Sequence, residues 1–285
     1  MVKVSHISDT AKWVAAYRAL ETERPDALFR DPHAARLSGA LGQQLARELR
    51  GGLGNAWIFV VRTKLLDDWV ERLVREERID LVLNLAAGFD ARPYRLALPA
   101  TLRWAEVDLP ALLAEKEQLL AGSVPRCQLT RHPLDLADRP ARQRLLAQLG
   151  AGAQRVLVLT EGLLVYLTPA QAGELAMDLA AVPSVGLWAL DLVNHRVLKI
   201  AQRQWGRALA AGNAQMKFGP RERFDFFRPL GFRERESQSF LDAGVQFDRQ
   251  PPFGTTYRWI HQLPLPHGWR AALPWAGVGL LAKRR

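Results

Sequence analysis

The sequence predicts an α/β fold, a doubly wound and largely parallel sheet behind an N-terminal helical cap, and three observations predict it. From residue 80 onward, apolar runs of strand length alternate with helical stretches, the pattern of right-handed crossovers between parallel strands. Residues 80–87, Asp-Leu-Val-Leu-Asn-Leu-Ala-Ala, are mostly apolar and stop at Gly88, as a strand buried on both faces does. Residues 9–78, by contrast, read as mostly helical.

Composition bounds the answer. A chain of 285 residues with 48% hydrophobic and 24% charged residues supports a substantial core and argues against global disorder. Residues 1–285 read as one domain, with a cap over 1–78 and a core with a C-terminal elaboration over 79–285. No apolar run approaches the roughly 18 residues of a membrane span. The start, Met-Val-Lys-Val-Ser-His-Ile-Ser-Asp-Thr, lacks the apolar stretch of a signal peptide. One cysteine, Cys127, permits neither an internal disulfide nor a metal cluster, and a reducing cytoplasm is the expected compartment. The net charge of +10 is spread among arginines that often sit beside acids, as in Arg-Glu-Glu-Arg at 75–78, and only Lys283-Arg284-Arg285 forms a run. The expectation is a solvated surface rather than a nucleic-acid or membrane face.

Taken in order, Thr10 is placed to cap a first helix through Leu20, with Trp13, Val14, Tyr17 and Leu20 along one stripe. Asp31-Pro32 marks a turn with proline at the first position of a second helix running to Arg50. Gly51 to Asn55 breaks that helix, and a third over 56–78 carries Ile58, Val61, Leu65, Leu66, Trp69, Leu73 and Val74 inward. Strands follow at 80–87, 102–107, 127–130, 155–160 and 185–190, with helices at 110–120, 139–149 and 168–182 between them. Beyond Asp191 a helix near 195–211, another over 221–230 and a final strand at 278–282 complete the reading.

The unit that organises the chain runs from Asp80 to Asp108, read as strand, tight turn, helix and strand. Gly88 and Asp108 stand 20 residues apart. A glycine after one parallel strand lets a ligand approach the backbone, and an acid at the tip of the next accepts from two ribose hydroxyls. Ligands of open parallel sheets bind beyond the carboxyl ends of the strands. Gly88, Asp90, Asp108, Asp135, Glu161 and Asp191 all fall at such ends. Any one of these acids could simply cap the next helix; their joint occurrence is the evidence. Arg62 follows the apolar run Trp57 to Val61 and needs a carboxylate partner there. That partner is either a ligand or an internal acid, Asp67 or Asp68 one turn away.

The ordered set Asp9-Thr10-Ala11, Arg18 to Glu21, Leu28 to Pro32, Arg62-Thr63 with Asp67-Asp68, Gly88-Phe89-Asp90-Ala91-Arg92, Glu106 to Pro110 with Lys116, Asp135-Leu136, and Glu161 to Leu167 resembles the leucine carboxyl methyltransferase family. More closely it resembles that family's bacterial S-adenosylmethionine-dependent O-methyltransferases, over roughly residues 5–195. The resemblance implies the class I methyltransferase fold, a Rossmann-like sheet of seven strands with the last antiparallel. It implies that Arg62 holds the methionine carboxylate of S-adenosyl-L-methionine and that the methionine part lies across Gly88. It further implies that Asp108 binds the ribose, Asp135 and the Leu136 N–H meet the adenine, and Glu161 lies by the sulfonium and amino group. Arg18 would close over the cofactor carboxylate. The family often has glycine where Ala86 stands and threonine where Ala91 stands, and neither change removes a polar partner.

Methyl transfer from a sulfonium is an in-line displacement in which the protein aligns the reactants and excludes water. A carboxylate acceptor needs no base, whereas a hydroxyl favours one; Asp191 and His195 are available, and neither is assigned. Trp13, Tyr17, Trp57, Tyr166 and the aromatic-rich tail are the candidate acceptor pocket, although each aromatic could equally be core. A small-molecule acceptor is expected from the compact length, and the oligomeric state does not follow from the sequence. A nicotinamide-dependent oxidoreductase would use the same ribose acid, but its G-x-G-x-x-G turn is missing, with Ala86 and Ala91 at two of its positions. A non-catalytic cofactor binder on the same scaffold and a salt-sensitive nucleic-acid binder are the remaining alternatives.

Overall fold

The computed structural model describes residues 4, 6, 8–49, 51–251, 256, 259 and 273–284. The segment 260–272, and with it most of the aromatic-rich tail, lies outside the described residues. Among the described residues, seven strands form one sheet: β1 Leu81–Leu85, β2 Arg103–Asp108, β3 Gln128–Pro133, β4 Val156–Thr160, β5 Val185–Val193, β6 Phe232–Ser239 and β7 Ala276–Lys283, in the order β3-β2-β1-β4-β5-β7-β6. All pairs among the first five strands are parallel, and β7 pairs antiparallel with both β5 and β6. This is the class I, Rossmann-like arrangement that the resemblance implies. The strand order reverses between β1 and β4, so the crevice at their carboxyl ends is where a ligand fits.

The apolar runs become buried strands because both faces of the sheet are covered. Leu81, Leu83, Leu85, Val156, Val158 and Trp188 face one cluster shared with α7 (Pro169–Ala180) and the 3-10 turn Arg223–Leu230. Val82, Trp104, Leu157, Leu159 and Ala189 face a second, built from α3 (Ala56–Glu76) and α9 (Phe240–Gln246). The predicted inner residues of α3 are buried except Ile58, which is partly so. Because α3 ends at Glu76 and β1 begins at Leu81, the helix runs back along the sheet. Its first turns, and Arg62 with them, therefore sit at the carboxyl edge. Thr168 caps α7 in a complete capping box with Gln171.

Several expectations are corrected. The first helix, α1, spans Asp9–Thr22 and is not capped by Thr10; Ser8 holds the cap position without a side-chain bond, and Asp9 accepts from the His6 N–H at 3.1 Å. Leu20 is 38% exposed rather than part of the buried stripe, which is instead Trp13, Ala16 and Tyr17. Pro32 precedes the second helix, α2 (Ala34–Glu48), by two residues. The helix after Gly88 is a single turn, α4 (Arg92–Arg95). The third strand continues to Pro133, and the fifth runs past Asp191 to Val193. Strand β6 and helix α9 had no sequence forecast: Phe232–Ser239 carries six charged or polar residues in its interior, as a strand at the edge of the sheet can.

Candidate functional site

The carboxyl edge of β1 is a strained turn. Ala86 has φ +54° and Gly88 φ +48°, both in the left-handed region that favours glycine. This is the physical reason a glycine suits position 86. Ala86 adopts glycine's conformation with a methyl group to carry, so the departure noted in the sequence is one of backbone strain more than of crowding. At Gly88 an added Cβ would lie 3.3 Å from the Cβ of Ala11, since α1 packs directly over the turn.

Asp108, the last residue of β2, accepts from the Gly88 N–H at 2.7 Å through Oδ2 and from the Leu109 N–H at 2.7 Å through Oδ1. The sequence pairing of these two positions is therefore a physical contact. Burial pushes the Asp108 carboxyl above its ordinary value, and the two backbone donors offset this only in part. Beneath it, Glu106 on the same strand accepts from Lys116 of α5 (Pro110–Leu119) at 2.7 Å and from Arg131 of β3 at 3.0 Å. Arg131 donates also to the Tyr94 hydroxyl at 2.7 Å. This triad fixes β2 and β3 under the site.

On the other side of the switch point, Glu161 follows β4 and is gripped by two guanidiniums. Arg62 Nε donates to Oε1 at 2.9 Å, and Arg92 Nη1 to Oε2 at 2.8 Å. Burial pushes this carboxyl up, but Arg92 and Arg62 outweigh it and hold it down to about 2. Arg62 also donates to Asp191 Oδ2 at 3.1 Å, while Asp191 Oδ1 accepts from the Gly162 N–H at 2.6 Å. The internal partners of Arg62 are thus Glu161 and Asp191, not Asp67 or Asp68. Asp67 is taken by Arg92 at 2.7 Å and by Arg95 at 2.6 and 2.7 Å, and Asp68 by Lys64. Spacing along one helix could not reveal this, since the acids come from strand ends distant in sequence.

Arg18 on α1 donates to Asp31 at 2.9 Å and to the Phe89 carbonyl at 2.6 Å. It thereby fastens α1 onto the residue after Gly88. Asp135 and Leu136 lie beyond β3, tied to the site through the Leu134 N–H, which donates to the Asp108 carbonyl at 2.8 Å. Asp135 is exposed and accepts from the Ala137 N–H at 2.9 Å. Five of the seven predicted residues, Arg62, Gly88, Asp108, Glu161 and Arg18, therefore meet at the β1–β4 edge, and Asp135 and Leu136 extend the row along β2 and β3. Arg92 and Arg95 are functional candidates that sequence reasoning missed, and Asp67 was offered there as a partner of Arg62 rather than of these two. The only signal for Arg92 is its place at the end of the Gly88-Phe89-Asp90-Ala91-Arg92 turn, where Asp90 rather than residue 91 caps α4 by accepting from the Arg92 N–H at 2.9 Å.

The aromatic candidates divide. Trp13 and Tyr17 pack around Phe59, at 5.1 Å each between ring centroids, in one cluster with Tyr166. Phe59 lies 5.4 Å from the Arg62 guanidinium, which puts this cluster beside the charged site. Trp57 belongs to the core of the opposite sheet face instead and packs near Gly244. His195 begins α8 (His195–Ala210), and desolvation of its own ring, followed by the charges of Arg221, Arg196 and Lys199, lowers its pKa.

Known proteins place this geometry in a family. A provisionally named S-adenosyl-L-methionine-dependent methyltransferase of Parafrankia sp. is 38% identical over 192 residues, 63% of this chain and 61% of that one. The chain spans 61%, 65% and 63% of the length of three such actinobacterial relatives. The tetracenomycin polyketide synthesis O-methyltransferase of Streptomyces glaucescens is 26% identical over 279 residues, covering 93% of this chain and 96% of that one. A DUF574 family protein from Streptomyces avermitilis shares the fold with a TM-score of 0.56 at 15% identity, covering 95% of this chain and 96% of that structure. The leucine carboxyl methyltransferase family model matches residues 11–180, more than half of the sequence, and the chain belongs to that family.

Proposed function

We propose that this protein binds S-adenosyl-L-methionine along the carboxyl edge of β1, β2 and β4 and transfers its methyl group to an oxygen of a small molecule. The observation that carries this reading is the Asp108 carboxylate held by the Gly88 N–H at 2.7 Å beside the switch point. Each Asp108 oxygen spends one lone pair on a backbone donor and keeps another for a hydroxyl, which is the donor set that a ribose needs. Arg62 uses two of its five N–H groups on Glu161 and Asp191, and the rest suit a carboxylate. The residues fit the cofactor.

In this reading Arg62 holds the methionine carboxylate, the Gly88 turn admits the methionine backbone, and Asp108 binds the ribose. Asp135 accepts from the adenine amino group, the Leu136 N–H donates to the ring, and Glu161 faces the ammonium and sulfonium. Arg18 keeps α1 closed above them. When bound, the cofactor supplies a methyl group already activated on a positively charged sulfur. The protein then holds the acceptor in line and keeps water out, and placement of this kind is worth roughly 7–11 kcal/mol of barrier. Trp13 and Tyr17 are core, at 3% and 0% exposure, and the partly buried Phe59 and Tyr166 packed on them, with Phe59 beside Arg62, support an aromatic or aliphatic small-molecule acceptor over a nucleic acid. Its covering of more than nine-tenths of a polyketide O-methyltransferase supports the same choice.

Two assays test this together. S-adenosylhomocysteine should raise the melting temperature and nicotinamide cofactors should not; the opposite result favours a dehydrogenase. Incubation with methyl-labelled cofactor and a panel of phenols and aromatic carboxylic acids should move label onto oxygen. Cofactor binding with no transfer to any acceptor favours the non-catalytic alternative.

A further inference from the structure

The buried charges behind the proposed site are arranged around one carboxylate. Arg92 is 2% exposed, so it meets no ligand directly. Its Nε donates to Asp67 Oδ1 at 2.7 Å, and its Nη1 to Asp90 Oδ2 at 3.0 Å and Glu161 Oε2 at 2.8 Å. Asp67 is itself clamped by both terminal nitrogens of Arg95, and Asp90 accepts from the Asn84 amide at 2.8 Å. Arg92 is thus anchored on α3 and on β1, with one N–H extended to the strand-end acid across the switch point.

Glu161 is shared between this rigid guanidinium and Arg62, one oxygen each. The two are not equivalent, because Arg62 is 9% exposed against 2% for Arg92 and, in the proposed site, has donors to give to an incoming carboxylate. If Arg62 alone held Glu161, drawing Arg62 toward a ligand would release the acid. With Arg92 on Oε2, Glu161 keeps its orientation, a lone pair on each oxygen remains for an ammonium, and Glu161 in turn steers Arg62.

Building on the proposed cofactor site, we infer that Arg92 is a positioning residue for the methionine end of the cofactor, acting through Glu161 and anchored by Asp67. The test is calorimetric titration of S-adenosylhomocysteine into the parent, Arg92→Lys, Glu161→Gln and the double variant, with adenosine as a second ligand that reaches only the nucleoside end. Arg92→Lys keeps the charge but has no planar fork to span three carboxylates. It should weaken S-adenosylhomocysteine about tenfold, as loss of a charge-assisted contact does, and leave adenosine affinity unchanged. In the double variant the loss should stay close to that of Glu161→Gln alone, because both changes act on one group. Asp67→Asn, which leaves Arg92 in place but loosens its anchor, should weaken S-adenosylhomocysteine in the same direction by a few-fold. Parent-like S-adenosylhomocysteine affinity in Arg92→Lys, additive losses in the double variant, or an equal loss for adenosine each overturns the inference. A parent protein that binds no S-adenosylhomocysteine overturns the cofactor site itself, and so separates the two failures.

Discussion

The two ends of the site are built on opposite electrostatic terms. At the methionine end, Glu161 lies between two guanidiniums and its pKa is held down to about 2. At the ribose end, burial drives the Asp108 pKa up, and its hydrogen bonds come from two backbone N–H groups, with no guanidinium gripping it among the described residues. The first carboxylate is part of what holds the fold together. The second is kept under-satisfied, with lone pairs spare for a ligand. Stability and binding should therefore separate on mutation.

The largest contrast is between Glu161→Ala and Asp108→Asn. Removing Glu161 takes one charge-assisted bond from each of two buried guanidiniums, which keep Asp191, Asp67 and Asp90, and should cost roughly 1.5–3 kcal/mol for each lost bond in urea unfolding. Asp108→Asn forfeits one of two backbone N–H bonds but also removes a charge that burial disfavours, and should cost no more than about 1.5 kcal/mol. Equal destabilisation of the two would erase the distinction.

The acid limb of stability sharpens it. Glu161 has a folded pKa of about 2 against an ordinary 4.5, so its contribution is full above the ordinary value and drains away as pH falls from there toward the folded value. Asp108 has the opposite sign, since its raised pKa means that the folded state takes up its proton first and gains stability as pH falls. Urea midpoints followed from pH 7 downward should thus fall less steeply in Glu161→Gln than in the parent, and more steeply in Asp108→Asn. The same direction in both variants would contradict the assignment.

Smaller effects belong to the ribose end. Ala86→Gly relieves a left-handed alanine (φ +54°) and should stabilise by about 1 kcal/mol, read as a rise in the urea midpoint; a loss would show that Ala86 is not strained. Asp135→Ala should be the mildest, with an unchanged melting temperature because the residue is exposed and a few-fold loss of S-adenosylhomocysteine affinity, the scale of one hydrogen bond.

Much of this was legible in the residues because it depends on local pattern. The strand at 81–85, the glycine after it and the acid 20 places on are set by neighbours in sequence, and Gly88 and Asp108 duly touch. Asp135 and Glu161 were legible as acids at strand ends, and the family motifs added the roles expected of them. What spacing could not supply is pairing between elements far apart. Arg62 finds Glu161 and Asp191 at separations of 99 and 129 residues, whereas local reasoning offered Asp67, which α4 had already claimed. The edge strand Phe232–Ser239 escaped for a related reason. Arg233, Glu234 and Arg235 are exposed in succession, with no alternation to mark a strand, and its pairing with β7 is decided by a partner more than 35 residues later.

The most direct measurement is isothermal titration of S-adenosylhomocysteine into the parent, Asp108→Ala and Arg62→Ala. The account predicts one equivalent bound by the parent and an affinity lower by about tenfold or more in each variant, as loss of a charged contact worth roughly 1.5–3 kcal/mol requires. Parent-like binding in both variants would contradict it.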